Sequence, residues 1–490
     1  MTPLTRRQLL ALGAAGAGAA AAGGAGLWWT SGGGEALGRG RELVQPEVLA
    51  GRDGVLDLAL GAAPARVRIG ARAANVQAFN GSLPGPTLRV RAGDTIRVAM
   101  RNGLEEPTNL HVHGLHVSPV GNGDNPFVSI DPGQTFDYEF VLPEGHPPGT
   151  YWYHPHRHGH VADQLAAGLY GVIVVEDPDP VPAARERVMV VSDITLDGSG
   201  RPAEVSAPER IMGREGETVL VNGQVRPEAT AAPGERELWR VVNACPARFL
   251  RLRLDGQDLR VLGRDVGRLR EPEDVTEVVL APGNRVELLV DAREGTSTLV
   301  AAPVDRGRTD GMMGGGMPGD GRGNDEPIEL LSLEVSGTPV GPAGPVPAGP
   351  APRDLRGERI AAGRTLDFAM GMGMGGRRGP GTMMSFTIDG EQFDAARTDQ
   401  QVAVGSVEEW TLTNSGPMDH PVHLHVWPMQ LVADGGRDLT EPTWLDVVNV
   451  PAFGQVTVRV AFDDFPGRTV YHCHILDHED LGMMGTVEAR

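Results

Sequence analysis

Short runs in which every second residue is apolar, each closed by Gly, Pro, Asn or Asp, decide the fold class of this chain. Ile96, Val98 and Met100 form one run, Leu250, Leu252 and Leu254 another, and Val456, Val458 and Val460 a third. Period two places successive side chains on opposite faces of an extended backbone, so each run reads as a strand with one buried face. The turn residues between runs favour antiparallel β-sandwiches. With 68 Gly and 39 Pro in 490 residues, the composition suits many short strands better than long helices. Val161 to Ala167 is the best helix candidate, and the expected fold class is all-β.

The length predicts about three domains, each the size of one small sandwich. Breaks after Val174-Val175-Glu176-Asp177-Pro178 and in the Pro/Gly-rich linker 336–354 divide the chain into 41–178, 179–335 and 355–490. Residues 305–326, rich in Gly, Asp and Met, read as a surface loop. Thr5-Arg6-Arg7-Gln8-Leu9-Leu10 precedes an Ala/Gly-rich apolar stretch, so residues 1–40 read as an export signal resembling the twin-arginine type. Its many glycines make a permanent membrane span a poor fit. A periplasmic, cell-envelope or extracellular location follows as the expectation. The net charge of -20 argues against nucleic acid as a partner. Of the two cysteines, Cys245 reads as a small buried side chain.

Thirteen of the 14 histidines fall into four clusters, and none lies between His160 and His420. The clusters are His111-Val-His113 with His116, His154-Pro-His156 with His158 and His160, His420-Pro-Val-His423-Leu-His425, and His472-Cys473-His474 with His478. Imidazole alone leaves copper, zinc, iron and nickel open. Strand geometry narrows the choice: His472 and His474 share one face and can address one metal cluster, while the Cys473 thiolate faces a different metal. Cys473, His478 and Met483, with His420 as the best second imidazole, supply the Cys, two His and weak axial Met of a blue-copper site. A structural zinc site would want more thiolates.

These four segments, in this order, resemble the copper-binding motifs of multicopper oxidases, and Asn80-Gly-Ser-Leu-Pro84-Gly85-Pro86 resembles that family's first-domain signature. The resemblance runs from about Asn80 to Gly485. It implies three cupredoxin-like Greek-key β-sandwich domains and four copper ions: one type 1, one type 2 and a type 3 pair. His420, Cys473, His478 and Met483 would hold type 1 copper, with Met484 a less well spaced alternative to Met483. His111 and His423 would hold type 2 copper. His113, His154 and His474 would hold one type 3 ion, and His156, His425 and His472 the other. The implied reaction couples one-electron oxidations at type 1 copper to reduction of O2 to water, with Asp124 and Glu479 as proton-relaying carboxylates. His116, His158 and His160 sit near ligands but have no ligand role in the family, and His146 reads as a loop residue.

Met312, Met313, Met317, Met370, Met372, Met374, Met383 and Met384 bear on the electron donor, because thioether sulfur selects Cu(I). These segments loosely resemble those of bacterial cuprous oxidases, and Gly-Met-Gly-Met-Gly has no evident core to fill. Met418 and Asp419 are a candidate surface donor site. Cu(I) is therefore the expected reductant. A small aromatic reductant, as in laccases, is the alternative, and a non-enzymatic copper-binding or structural exported protein is a third reading.

Overall fold

A computed structural model describes residues 40–307, 326–372 and 384–490. They form six sheets, two to each of three β-sandwiches. The alternating runs are strands with alternating burial: Thr95–Asn102, Leu250–Leu254 and Gln455–Phe462 each turn their apolar residues inward. Each sandwich has its own core, around Leu60, Ile96 and Phe140 in the first, Trp239, Leu252 and Leu288 in the middle, and Phe368, Trp410 and Val458 in the third. Burial of each such side chain contributes about 1.5–3 kcal/mol. Neighbouring strands are often distant in sequence, as where Val55–Ile69 pairs parallel with Thr95–Asn102, which is the crossover connection of Greek-key sandwiches.

Two five-stranded sheets position the histidines. In the first sandwich the edge strand His111–His113 pairs with Gly149–His154, so that His111 stands opposite His154. In the third, His420–Leu424 lies between Val447–Val450 and Gly467–Cys473, with His423 opposite His472 and Val422 opposite Cys473. Helix Val161–Ala166 follows the second histidine cluster as expected. Its N-terminal end is capped from the third sandwich: Asp480 accepts from the amides of Gly159 at 2.7 Å and Ala162 at 2.9 Å.

The methionine stretch departs from expectation where it is described. Met370 and Met384 pack into the third core, and Met418 is wholly buried, so it is no surface donor. The carboxylate of Asp419 accepts from Asn449 and from the amide of Ala452, bracing that turn. The expected export segment, Met312, Met313, Met317, Met374 and Met383 and the side chain of Met372 lie outside the described residues. Among the described residues no helix is long and apolar enough to cross a membrane. Cys245 is buried and unpaired.

Candidate metal centre

Cys473 ends its strand with the thiol turned into the third core, where Sγ lies 3.5 Å from His420 Nδ1 and 3.7 Å from His478 Nδ1. His478 stands on helix Leu476–Asp480, and its Nε2 donates to the carbonyl of Ile211 at 2.9 Å. That bond commits Nε2 and leaves the Nδ1 lone pair facing the sulfur. Met483 is fully buried in the same apolar cluster, and its carbonyl accepts from the Cys473 amide at 3.1 Å.

His472 and His474 face the other way, into the junction between the first and third sandwiches. The Nε2 atoms of His156, His425 and His472 form a triangle with sides of 3.1, 3.2 and 3.3 Å. Such a triangle has its centre roughly 1.9 Å from each corner, close to the ~2.0–2.1 Å of a metal–imidazole bond. His113 Nδ1 and His154 Nε2 approach to 3.5 Å. The His474 ring faces both, with centroids 5.0 Å and 5.7 Å away, but its nitrogens join none of the close donor groups. Ligand atoms of His111, His423 and His425 lie within 4.8 Å of one another.

On several of these residues the second ring nitrogen aims the ring. His111 Nδ1 lies 2.9 Å and 3.0 Å from the two oxygens of Asp124, and His423 Nδ1 donates to the carbonyl of Asp446 at 2.7 Å. His154 Nδ1 donates to Pro155 at 2.8 Å and His472 Nδ1 to Cys473 at 3.0 Å. Several buried ring nitrogens have no hydrogen-bond partner among the described residues: Nε2 of His111, His420 and His423, Nδ1 of His156 and His425, and both nitrogens of His474. Orphaned buried polar atoms are costly unless a ligand satisfies them, so the donor set fits metal ions. A thiolate with two imidazoles, beside a cluster of imidazoles alone, fits copper.

Burial holds these histidines below their ordinary range, His472 at about 4 and His154 and His478 at about 3; burial reinforced by neighbouring imidazoles holds His111 and His425 well below it. They are neutral at pH 7, as ligation requires. Burial pushes the Cys473 thiol up, so its thiolate forms when a cation takes the proton's place. Burial also raises Asp124, to about 8, and Glu479 well above the carboxylate range. Glu479 Oε2 lies 3.1 Å from His472 Nδ1 and Oε1 3.4 Å from His156 Nε2, off the hydrogen-bond direction, and neither oxygen has a hydrogen-bond partner among the described residues.

Several positions had no sequence signal. Asp446 reads as one acid inside an apolar strand, yet its Oδ1 lies 3.2 Å from His113 Nε2. The Ile211 carbonyl and Gly283, which lies against His474, carry no motif. Of the histidines without a ligand role, His116 bonds to the Val426 carbonyl and to Asp464, and His146 accepts from the His116 amide.

Family models described as multicopper oxidase match residues 63–180, 188–309 and 372–490. A multicopper oxidase (mco) of Staphylococcus haemolyticus is 28% identical over 430 residues, 84% of each chain. The cell division protein FtsP of Sodalis glossinidius is 30% identical over 436 residues, 86% of each chain. The structure of a multicopper oxidase from Campylobacter jejuni, titled a metallo-oxidase, superposes with a TM-score of 0.80 at 29% identity, covering 92% of this chain and 96% of the other. Matches in all three sandwiches, in chain order and over most of the length, lead to one assignment: the chain belongs to the multicopper oxidase family.

Proposed function

We propose that the chain is an oxidase that couples one-electron oxidation of a donor, Cu(I) foremost, to reduction of O2 to water. The observation that carries this reading is Cys473: its sulfur faces two imidazole nitrogens on one side of a strand, and its flanking histidines face an imidazole cluster on the other. His420, Cys473, His478 and Met483 would hold type 1 copper. His111 and His423 would hold type 2 copper. His113, His154 and His474 would hold one type 3 ion, and His156, His425 and His472 the other. Copper in these positions supplies one-electron oxidation at the thiolate site and oxygen reduction at the cluster.

The chain's own groups prepare that chemistry. Asp124 and the Asp446 carbonyl aim His111 and His423, and Trp152, stacked 4.3 Å from His154, keeps water off that ring. Glu479 and Asp124 hold protons at their carboxyl oxygens at neutral pH because burial disfavours their charged forms. Both therefore stand beside the imidazole cluster as proton donors.

For the donor, Gly307 supports Cu(I). It is bridged to Met418, two residues before His420, and it is the last described residue before Met312, Met313 and Met317. With Met370 and Met384 in the core, the Cu(I) reading rests on Met312, Met313, Met317, Met372, Met374 and Met383. The Campylobacter jejuni structure, described as a metallo-oxidase, agrees with a metal donor. The Sodalis glossinidius relative is named a cell division protein, and a structural role is the reading that goes with it; the presence of Cys473 and every motif histidine in the sequence argues against that reading here. We further propose export by the twin-arginine-type segment and a domain division at 41–178, 179–335 and 355–490 around the 336–354 linker, supported by the strand limits of the three sandwiches.

Oxygen uptake with Cu(I), a phenol and Mn(II), measured side by side, tests the donor. Substitution of Met372, Met374 and Met383 by Leu should lower Cu(I) turnover and spare the phenol. Unchanged Cu(I) turnover would refute the Cu(I) reading, and a copper-loaded protein without an intense blue band would refute the oxidase reading altogether.

A further inference from the structure

The middle sandwich contains no histidine, yet three consecutive residues of it reach the imidazole cluster. Gly283 lies so close to His474 that a Cβ there would stand 3.1 Å from three ring atoms. Asn284 donates to the carbonyl of Val447 at 3.1 Å. Arg285 grips Asp446 with both ends of its fork, Nη1 to Oδ1 at 2.6 Å and Nη2 to Oδ2 at 2.5 Å.

Every donor of this guanidinium is used. Nε donates to the carbonyl of Thr150 at 3.0 Å, Nη1 also to Gly283 at 3.2 Å, and Nη2 also to Asp265 at 2.9 Å. Five satisfied donors on a buried side chain leave Arg285 one orientation, and with it Asp446. Asp446 in turn occupies one nitrogen on each of two rings stacked 3.8 Å apart: Nε2 of His113 through its carboxylate, Nδ1 of His423 through its carbonyl. Gly114, directly after His113, completes the fit. A Cβ there would lie 2.2 Å from Asp446 Oδ2 and 2.6 Å from Arg285 Nη2.

We propose that Arg285 is a positioning residue for the oxygen-reducing cluster. Acting through Asp446, it sets His113 with Nδ1 inward and His423 with Nε2 inward, so the sandwich without ligands decides how ligands of the other two are presented. The inference rests on the copper reading above. An ion pair that merely joined sandwiches would not need its carboxylate on one imidazole and its carbonyl on the next.

The test compares copper retention against EDTA in the fully loaded protein, reading blue and non-blue copper separately by absorbance, metal analysis and electron paramagnetic resonance. Arg285→Met should keep the blue band and lose non-blue copper roughly 10–100-fold more readily, as when a partner of a metal-bound histidine is removed. Asp446→Asn should do the same, and the double variant should be no worse than Asp446→Asn alone. Arg285→Lys, which keeps the charge but not the fork, should fall between Met and wild type.

Wild-type retention in Arg285→Met overturns the proposal, as do equal losses of blue and non-blue copper or multiplying losses in the double variant. Failure of both Arg285 variants to fold also overturns it, because Arg285 would then serve the fold and not the cluster. A wild-type protein without blue or non-blue copper instead sinks the oxidase reading itself.

Discussion

The Nε2 of His478 lies 2.9 Å from the carbonyl oxygen of Ile211, so a histidine of the third sandwich is aimed at Cys473 by a residue of the middle one. The aim is independent of the sulfur. Cys473→Ser should therefore leave His420 and His478 in place while removing the soft ligand. The expected outcome is a folded protein with no blue band, copper still in the histidine cluster and no donor-driven oxygen uptake. Normal oxygen uptake by this variant would contradict the assignment.

Glu479→Gln keeps the size of the side chain and removes its exchangeable acid proton. Its nearest groups, His472 Nδ1 and His156 Nε2, belong to the cluster side, so the defect should fall on oxygen reduction alone. Anaerobic bleaching of the blue band by donor should proceed at the wild-type rate. Reoxidation by O2 should slow by roughly 10²–10⁴-fold, the usual contribution of a positioned proton donor. Stopped-flow measurement of the two half-reactions separates the cases.

The copper-free protein should lose stability in acid. Buried histidines in the folded chain stand below the unfolded value of 6.5, with His472 at about 4 and His154 and His478 at about 3. As pH falls below 6.5 the unfolded chain takes up protons that the folded chain refuses, so stability is lost from there down toward pH 3 and does not change by this route above pH 7. Copper that binds the native state raises stability at every pH without removing this slope, because the folded histidines are already neutral. Urea midpoints of the copper-free protein should therefore fall progressively between pH 7 and 4; a midpoint that does not change over that range would contradict the buried neutral cluster.

Gly283→Ala should destabilise the chain by more than about 1 kcal/mol, because φ is +90° and the added carbon meets the His474 ring at 3.1 Å. Gly133→Ala is the control: its φ is +79° with nothing within 4 Å of the new carbon. Urea unfolding should rank Gly283→Ala as clearly the worse, and only that variant should lose non-blue copper.

What was legible in the sequence was what strand geometry encodes locally. His-x-His pairs announce themselves because residues i and i+2 share a face, and the thiol between His472 and His474 does face the other way, into the third core. Asp446 was not legible: an acid in an apolar strand acquires meaning only when Arg285, 161 positions earlier, is brought to it. The Ile211 carbonyl could not be found either, since every residue has one. Met370 misled for a related reason. Grouped with the glycine-flanked methionines that follow it, it read as having no core to fill, while it stands opposite Phe386 on the next strand and shares the core with Met418 from a turn.

His156 and His472 meet across 316 positions of chain. Neither the first sandwich nor the third can assemble that triangle of nitrogens alone. During synthesis, which delivers N-terminal domains first, the thiolate site belongs entirely to the last segment made, and the cluster must wait until that segment has folded and docked. On the copper reading, capture would be a checkpoint on finished molecules: a truncated or misdocked chain would have nowhere to keep the metal at the junction, and only a completed one could be charged.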